Sequence, residues 1–185
     1  LTGNLNSATN LVIAPSATLD LQAALTAATL DLDGTISNTA GTSSLIISGT
    51  SSLGGSITTT GTQTYNNAVT LTGDTTLATS SAQVTFAANA TINSEGSETN
   101  NLTITASETE LNGIIGGSQG IGIIDINGTL DLNAAITGAT SIDVSSTSNL
   151  GANVTTSGTQ TYTGATVLST DVTLTTTDSN VTFSS

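Results

Sequence analysis

Apolar and polar residues alternate with a period of two along most of the chain. Val69-Thr70-Leu71-Thr72, Leu102-Thr103-Ile104-Thr105, Ile124-Asp125-Ile126 and Val172-Thr173-Leu174-Thr175 each place apolar side chains on one side and Thr or Asp on the other. That is the mark of a short strand with one buried face. Thr suits the outward positions, because its branched side chain fits a pleated surface and its hydroxyl meets water. Asn-Gly, Gly-Gly, Gly-Thr and Ser-Asn pairs lie between the strands and supply the positive φ and side-chain capping that turns need. No stretch carries a long 3.6-residue apolar stripe, and no Lys or Arg is present to close a helix. Pro15 follows the strand-like residues 10–13, a place where a strand end tolerates it. The pattern predicts an all-β protein of many short strands.

The chain also repeats itself. Shifted by 97 residues without gaps, residues 41–88 match residues 138–185 at 23 of 48 positions. Gly61-Thr62-Gln63-Thr64-Tyr65 returns as Gly158-Thr159-Gln160-Thr161-Tyr162, and Val84-Thr85-Phe86 returns as Val181-Thr182-Phe183. Every aromatic residue therefore has a partner 97 positions away. A second block, Thr18-Leu19-Asp20-Leu21, recurs as Thr129-Leu130-Asp131-Leu132 at an offset of 111, with a further echo at Thr29-Leu30-Asp31-Leu32. The 14-residue difference predicts an insertion over residues 27–40 of the first copy. Asn10-Leu11-Val12-Ile13 resembles Asn101-Leu102-Thr103-Ile104, so Leu1 starts about where another copy would resume after Ser185. The expectation is one continuous domain over 1–185, holding about two tandem units from a longer array.

Short strands of this kind build a stacked parallel β-solenoid or, alternatively, repeats of an antiparallel β-sandwich. Two Tyr and two Phe are too few to fill a wide sandwich interior. Small side chains suit a narrow layered core, and tandem repetition is what a solenoid requires. A parallel β-helix is the predicted fold. Its coil length stays open, because the apolar pairs fall at uneven intervals along the chain.

Composition narrows the function. The 185 residues include 41 Thr, 24 Ser and 19 Gly, but no Lys, Arg, His, Cys, Met or Trp. Thirteen acids without a balancing cation give a net charge of −13. Nucleic-acid binding lacks the cations that would meet phosphate, and docking to an anionic membrane surface fails for the same reason. Disulfide and zinc scaffolds lack their ligands. No His base, Cys nucleophile, Lys Schiff base or Arg clamp is present, so an enzyme is not expected. At 36% apolar and 7% charged residues the chain reads as folded rather than disordered. No apolar run reaches membrane-helix length, and the aromatic girdles of a membrane barrel are missing. Trypsin has no site to cut.

The sequence Gly61–Tyr65, the following Ala68-Val69-Thr70-Leu71-Thr72-Gly73-Asp74-Thr75-Thr76-Leu77 and Val84-Thr85-Phe86 resemble repeats of filamentous-haemagglutinin-like and autotransporter-type bacterial surface proteins. The resemblance is strongest over residues 41–88 and 138–185. It implies a secreted parallel β-helix at the bacterial cell surface, working as a fibre or adhesin. The secretion domain of that family lies outside this chain.

The candidate chemistry is sparse. Asp31 with Asp33, and Glu108 with Glu110, are spaced so that each pair shares a strand face, and a pair of carboxylates is what glycoside hydrolysis by a polysaccharide-cleaving β-helix would need. Such enzymes add a cation to neutralise an acidic substrate, and none exists here; these acids read as surface charge, and no catalytic, cofactor-binding or metal residue is assigned. Glu95, Glu98, Glu108 and Glu110 form a local acidic segment, and Ca²⁺ is the one cofactor it offers. The run Gly116-Gly117-Ser118-Gln119-Gly120-Ile121-Gly122 lacks the Lys and the helix of a phosphate loop, so a tight corner is expected. Five sequons, beginning at Asn89, Asn101, Asn127, Asn153 and Asn180, match the frequency that the Ser and Thr content gives by chance. Runs such as residues 58–64, 159–163 and 173–177 are rich in Thr. Their length and spacing vary, which favours generic outward strand positions over a regular ice-binding array. Gln63 and Gln160 share a strand face with Tyr65 and Tyr162, which predicts stacked Gln or Tyr ladders.

The function expected from the sequence is that of a structural repeat module in an extracellular filament or giant surface protein. Its partner is itself, end to end. A carbohydrate-, ice- or host-surface-gripping adhesin face is the alternative, and membrane insertion is not expected.

Overall fold

The computed structural model describes residues 5–6 and 10–184, the first pair as backbone only, so Leu1 and Ser185 lie outside the described residues. Every strand pair among them is parallel, and each partner lies one coil further along the chain. The result is a β-solenoid of about nine turns. No antiparallel, face-packed pair of sheets is present among the described residues, which removes the sandwich alternative.

Each coil contributes three strands and therefore three faces. The first face stacks Leu25–Ala27, Leu45–Ile47, Gln63–Tyr65 and Gln83–Phe86. The second stacks Asn10–Ile13, Thr29–Leu32, Ser51–Leu53, Val69–Leu71 and Ile92–Ser94. The third stacks Thr18–Asp20, Thr35–Ser37, Ser56–Thr59 and Thr75–Thr79. In the middle of the rod the strands Leu102–Leu111, Ile121–Leu132 and Ile136–Val144 run through corners, so two faces share one strand.

The period-two pattern explains the core. Inward positions form columns along the axis: Ala27, Ile47, Tyr65, Phe86, Leu111, Leu132 and Leu150 on the first face are all fully buried. Ile36, Ile57, Leu77, Ile104, Ile126 and Val144 do the same on the third. Because parallel strands stack in register, each inward side chain lies between the like residues of two neighbouring coils. A slip of one residue would turn a whole column outward.

Coil length is variable because corners absorb the difference. The step from Thr18 to its partner Thr35 is short, whereas that from Thr75 to its partner Leu102 is half as long again. Between Leu130 and Thr166 the step is constant, since Leu130 pairs with Ser148 and Ser148 with Thr166, and it lengthens again where Val154 pairs with Leu174 and Gln160 with Val181. Corners are held by side chains that reach one coil back. After the first face, Ser48 donates to the Ala27 carbonyl at 3.2 Å, Asn66 to Ile47 at 3.2 Å and Asn112 to Phe86 at 3.1 Å. Each of those carbonyls also accepts the backbone amide of the same residue. The short polar side chain fills the second lone pair and pins the turn where the ladder pauses.

The Gly-rich run beginning at Gly116 is such a corner. Asn93, one coil earlier, accepts the Ser118 and Gln119 amides at 2.9 and 3.2 Å. Gly116 has φ +70°, and a β-carbon there would collide with the Gly138 carbonyl oxygen of the next coil. Gly116→Ala combines a left-handed penalty with that collision, and a loss of about 2 kcal/mol is expected. Thermal melting followed by circular dichroism should show it as a drop of about 5 °C.

The sequence repeat and the structural repeat are out of phase. From Tyr65 the first-face column climbs through Phe86, Leu111 and Leu132 to Leu150, which is four coils. The chain then crosses the second face at Val154–Thr156 before reaching Gln160–Thr163 on the third. The 97-residue unit thus spans four coils and two further faces. Its second copy is rotated by two faces about the axis. The shorter motif behaves likewise, since Thr-Leu-Asp-Leu occupies the third face at Thr18, the second at Thr29 and the first at Thr129. A strand followed by a corner is the true building unit, and the three faces are interchangeable hosts for it.

Candidate functional site

The most elaborate local arrangement is the one built by the repeated Gly-Thr-Gln-Thr-Tyr. Gln63 points inward on the first face and is fully buried. Its amide donates to the Ala78 carbonyl at 2.8 Å and to Thr59 Oγ1 at 3.2 Å, with the Ile57 carbonyl at 3.4 Å. Its side-chain oxygen accepts the Tyr65 hydroxyl at 3.2 Å. Thr59 in turn donates to the Gly61 carbonyl at 2.7 Å. The Tyr65 ring lies on Phe86 of the next coil, with centroids 4.9 Å apart and planes 14° from parallel. One polar side chain therefore stitches two coils across the corner between the third and first faces.

The second copy rebuilds the same network on another face. Gln160 donates to the Thr175 carbonyl at 2.9 Å and to Thr156 Oγ1 at 3.3 Å, with the Val154 carbonyl at 3.2 Å. Tyr162 donates to Gln160 at 3.3 Å and stacks on Phe183 at 5.4 Å. The partners recur at the offset that separates the two glutamines. The aromatic ladder is Tyr on Phe, not Tyr on Tyr or Gln on Gln, because the two copies lie on different faces and never meet. Burial lifts both phenol pKa values well above the ordinary tyrosine range, with desolvation as the cause. These residues hold the core together, and Gln63, Tyr65, Gln160 and Tyr162 are fully buried.

The acidic candidates do not converge. Asp31 faces outward from the second face, while Asp33 has entered the corner, and both are exposed. Glu95 and Glu98 occupy the corner between the second and third faces, whereas Glu108 and Glu110 stand on the first face. The four glutamates proposed for Ca²⁺ are therefore divided between two sides of the rod. Among the described residues no group of three acidic side chains is placed to hold a metal ion. Gln83, one coil below, donates to Glu108 at 3.1 Å and to Glu110 at 3.4 Å. Asp131, stacked on Glu110, accepts from Asn149 at 2.9 Å and from Asn133 at 3.2 Å. Neutral amides thus perform the task that Lys and Arg perform in ordinary surfaces. Asp20 is held below the usual carboxylate range chiefly by the Thr39 hydroxyl at 2.6 Å, with the Thr39 amide and Gln22 adding to it.

An open groove of about 610 Å³ runs along the second face, lined by Thr29, Asp31, Ser52, Thr70 and Glu95 among others. Asp31 and Glu95 lie at its two ends, on coils three steps apart. That is about 14 Å, beyond the separation at which two carboxylates share a glycosidic bond. The carboxyl pairs the sequence suggested are side by side on a strand or split between strand and corner, with no cleft between them.

No protein-family model, curated protein or solved structure matches this chain. Sequence reasoning placed the repeated Gln and Tyr on one strand face but missed that the face is buried and what these residues contact. The signal was present, since Thr59, Ala78 and Phe86 all have counterparts at the same offset.

Proposed function

We propose that this chain is a structural segment of an extracellular filament or giant bacterial surface protein, without enzymatic activity, of the kind the filamentous-haemagglutinin-like repeats resemble. The observation that carries the reading is continuity. Three parallel ladders run along one axis around one apolar core, the second reduced to single bridges where it passes Ile115. Such an object resists bending because each coil is bonded to the next on every side, and about nine coils give a rod of roughly 40 Å.

The reading includes end-to-end association with further copies of the same ladder. Leu168 and Phe183 belong to the same inward columns as Leu150 and Tyr162, which are fully buried, yet each is 53% exposed. The missing cover is one more coil, and an unpaired strand edge invites it. Head and tail of a parallel solenoid differ, so such a contact propagates into a filament instead of closing. Negative-stain electron microscopy and sedimentation over a concentration series test this. Rods growing in steps of about 4 nm are expected, and Leu168→Asp combined with Phe183→Asp should leave single particles. A protein that stays a single particle at every concentration before substitution overturns the association.

A further inference from the structure

The Thr-rich runs look irregular in sequence, but the fold brings them into register. On the third face Thr18, Thr35, Ser56, Thr76 and Thr103 are direct partners on five successive coils. Two residues along the same strands, Ser37, Thr58 and Thr105 add a second hydroxyl column, with the small Ala78 between the last two and the carboxylate of Asp20 in place of a hydroxyl on the first coil. Unequal coil lengths disappear into the corners, so strands separated by short and by long coils stack directly alike. The hydroxyls form a net of about 4.8 Å between coils and about 6.7 Å along a strand. Those spacings lie close to the oxygen net on the prism face of hexagonal ice.

The continuity of these columns separates this face from the others, whose outward columns mix residue types: Thr26, Ile46, Thr64, Thr85 and Glu110 on the first face, and Val12, Asp31, Ser52, Thr70 and Asn93 on the second. Among the described residues none of these eight hydroxyls bonds another protein group, so the whole set is directed at water. On the first face some outward groups are engaged with each other: Thr85 donates to Glu110 at 3.5 Å, and Thr129 and Thr147 pair at 3.1 Å. That face also carries exposed Ile46 and Val167, and the second carries Val12 and Ile114. The third face carries exposed Ile123, but one coil beyond Thr103 and outside the block. Thr is stiff about its first side-chain torsion, so its hydroxyl and methyl positions are set before any ligand arrives. A surface that holds waters in a lattice spacing without reorganising is matched to crystalline water. A polysaccharide would want an aromatic platform, and none stands on this face.

We propose that the third face, from Thr35 to Thr103, is an ice-binding surface. It ends where Asp125 and Asp143 take over the column and stack as like charges, after which Thr161 and Thr182 resume it. The carboxylates order water by charge and break the hydroxyl net, and Asp20 does the same at the other end, which confines the surface to the coils from Thr35 to Thr103. The face works the same on a single molecule and on a joined rod.

Nanolitre osmometry on the purified chain tests the proposal. A measurable gap between melting and freezing points, with faceted crystals, is expected at millimolar protein; crystals that grow as in buffer overturn it. Thr76→Tyr and Thr35→Tyr should each reduce the gap at least fivefold while circular dichroism stays unchanged. Thr64→Tyr, on the first face, should leave it intact. Equal losses from both faces would show a non-specific effect and overturn the assignment. The double substitution Asp125→Thr with Asp143→Thr joins the two hydroxyl blocks and should raise the gap severalfold, and no rise would overturn the role given to register.

Discussion

Replacing Gln63 with Ala is expected to destabilise the fold by about 4 kcal/mol, from the acceptors left unpaired and the cavity created. The Tyr65 hydroxyl loses its acceptor, and the carbonyls of Ala78 and Ile57 lose their side-chain donor, in a buried site. Chemical denaturation should show the loss as a lower midpoint. Gln63→Leu fills most of the volume but cannot donate, so it should recover only the cavity part. Adding Tyr65→Phe to Gln63→Leu removes one orphaned hydroxyl, and the double variant should be less impaired than the two single effects predict by addition. Strict additivity would mean that the Tyr65–Gln63 bond contributes nothing. Gln160 with Tyr162 should behave in the same direction but more weakly, because Phe183 above Tyr162 is itself half exposed.

Raising the pH should unfold the protein through its two tyrosines alone. The chain has no Lys, Arg, His or Cys, so Tyr65 and Tyr162 are its only side chains that ionise in alkali. Burial raises both phenol pKa values in the folded state. A raised folded pKa means stability that is complete below the unfolded value of about 10 and is lost as pH climbs above it. Each tyrosine then removes about 1.4 kcal/mol per pH unit, so the pair costs about 5 kcal/mol by pH 12. Denaturation midpoints measured from pH 8 to 12 should stay flat to about pH 10 and then fall. Tyr65→Phe with Tyr162→Phe should abolish the fall. A steep decline that survives both substitutions would place the alkaline sensitivity in the backbone.

The two expectations share one origin. A solenoid core built from Leu, Ile and Val columns needs little specification, since any apolar residue fits between like neighbours. The Gln–Tyr–Thr group is the exception, a polar network inside that core, and a partly satisfied network costs more than an apolar one. It recurs intact on a different face because everything it touches lies within about one coil of it. Gln63 needs Thr59 before it and Ala78 after it, and Gln160 finds Thr156 and Thr175 at the same distances along the chain. Nothing in the network senses which side of the rod it occupies.

The outward surface follows a different logic. Glu110 meets Asp131, and Asp125 meets Asp143, as direct partners on neighbouring coils. Like charges so placed oppose stacking, yet Asn149 and Asn133 bond Asp131, and Asn127 donates to Asp125 at 3.3 Å. Side-chain amides spread over neighbouring coils offset part of the repulsion in a chain that carries no cations.

Alternation in segments such as Val69-Thr70-Leu71 determined the strands, the inward residues and the need for stacking, because period two leaves one apolar side that only another layer can cover. Repetition of Gly-Thr-Gln-Thr-Tyr determined that the same contacts would be made twice. What the sequence alone left undetermined was the number of faces and the coil length, since a short corner and a long one read alike between strands. Only the closed coil decided that Tyr65 and Tyr162 stand on different faces, that the four glutamates part company, and that Thr18, Thr35, Ser56, Thr76 and Thr103 align. Register between coils is set by backbone hydrogen bonds and the packing of inward columns, and neither depends on how many residues the corners hold.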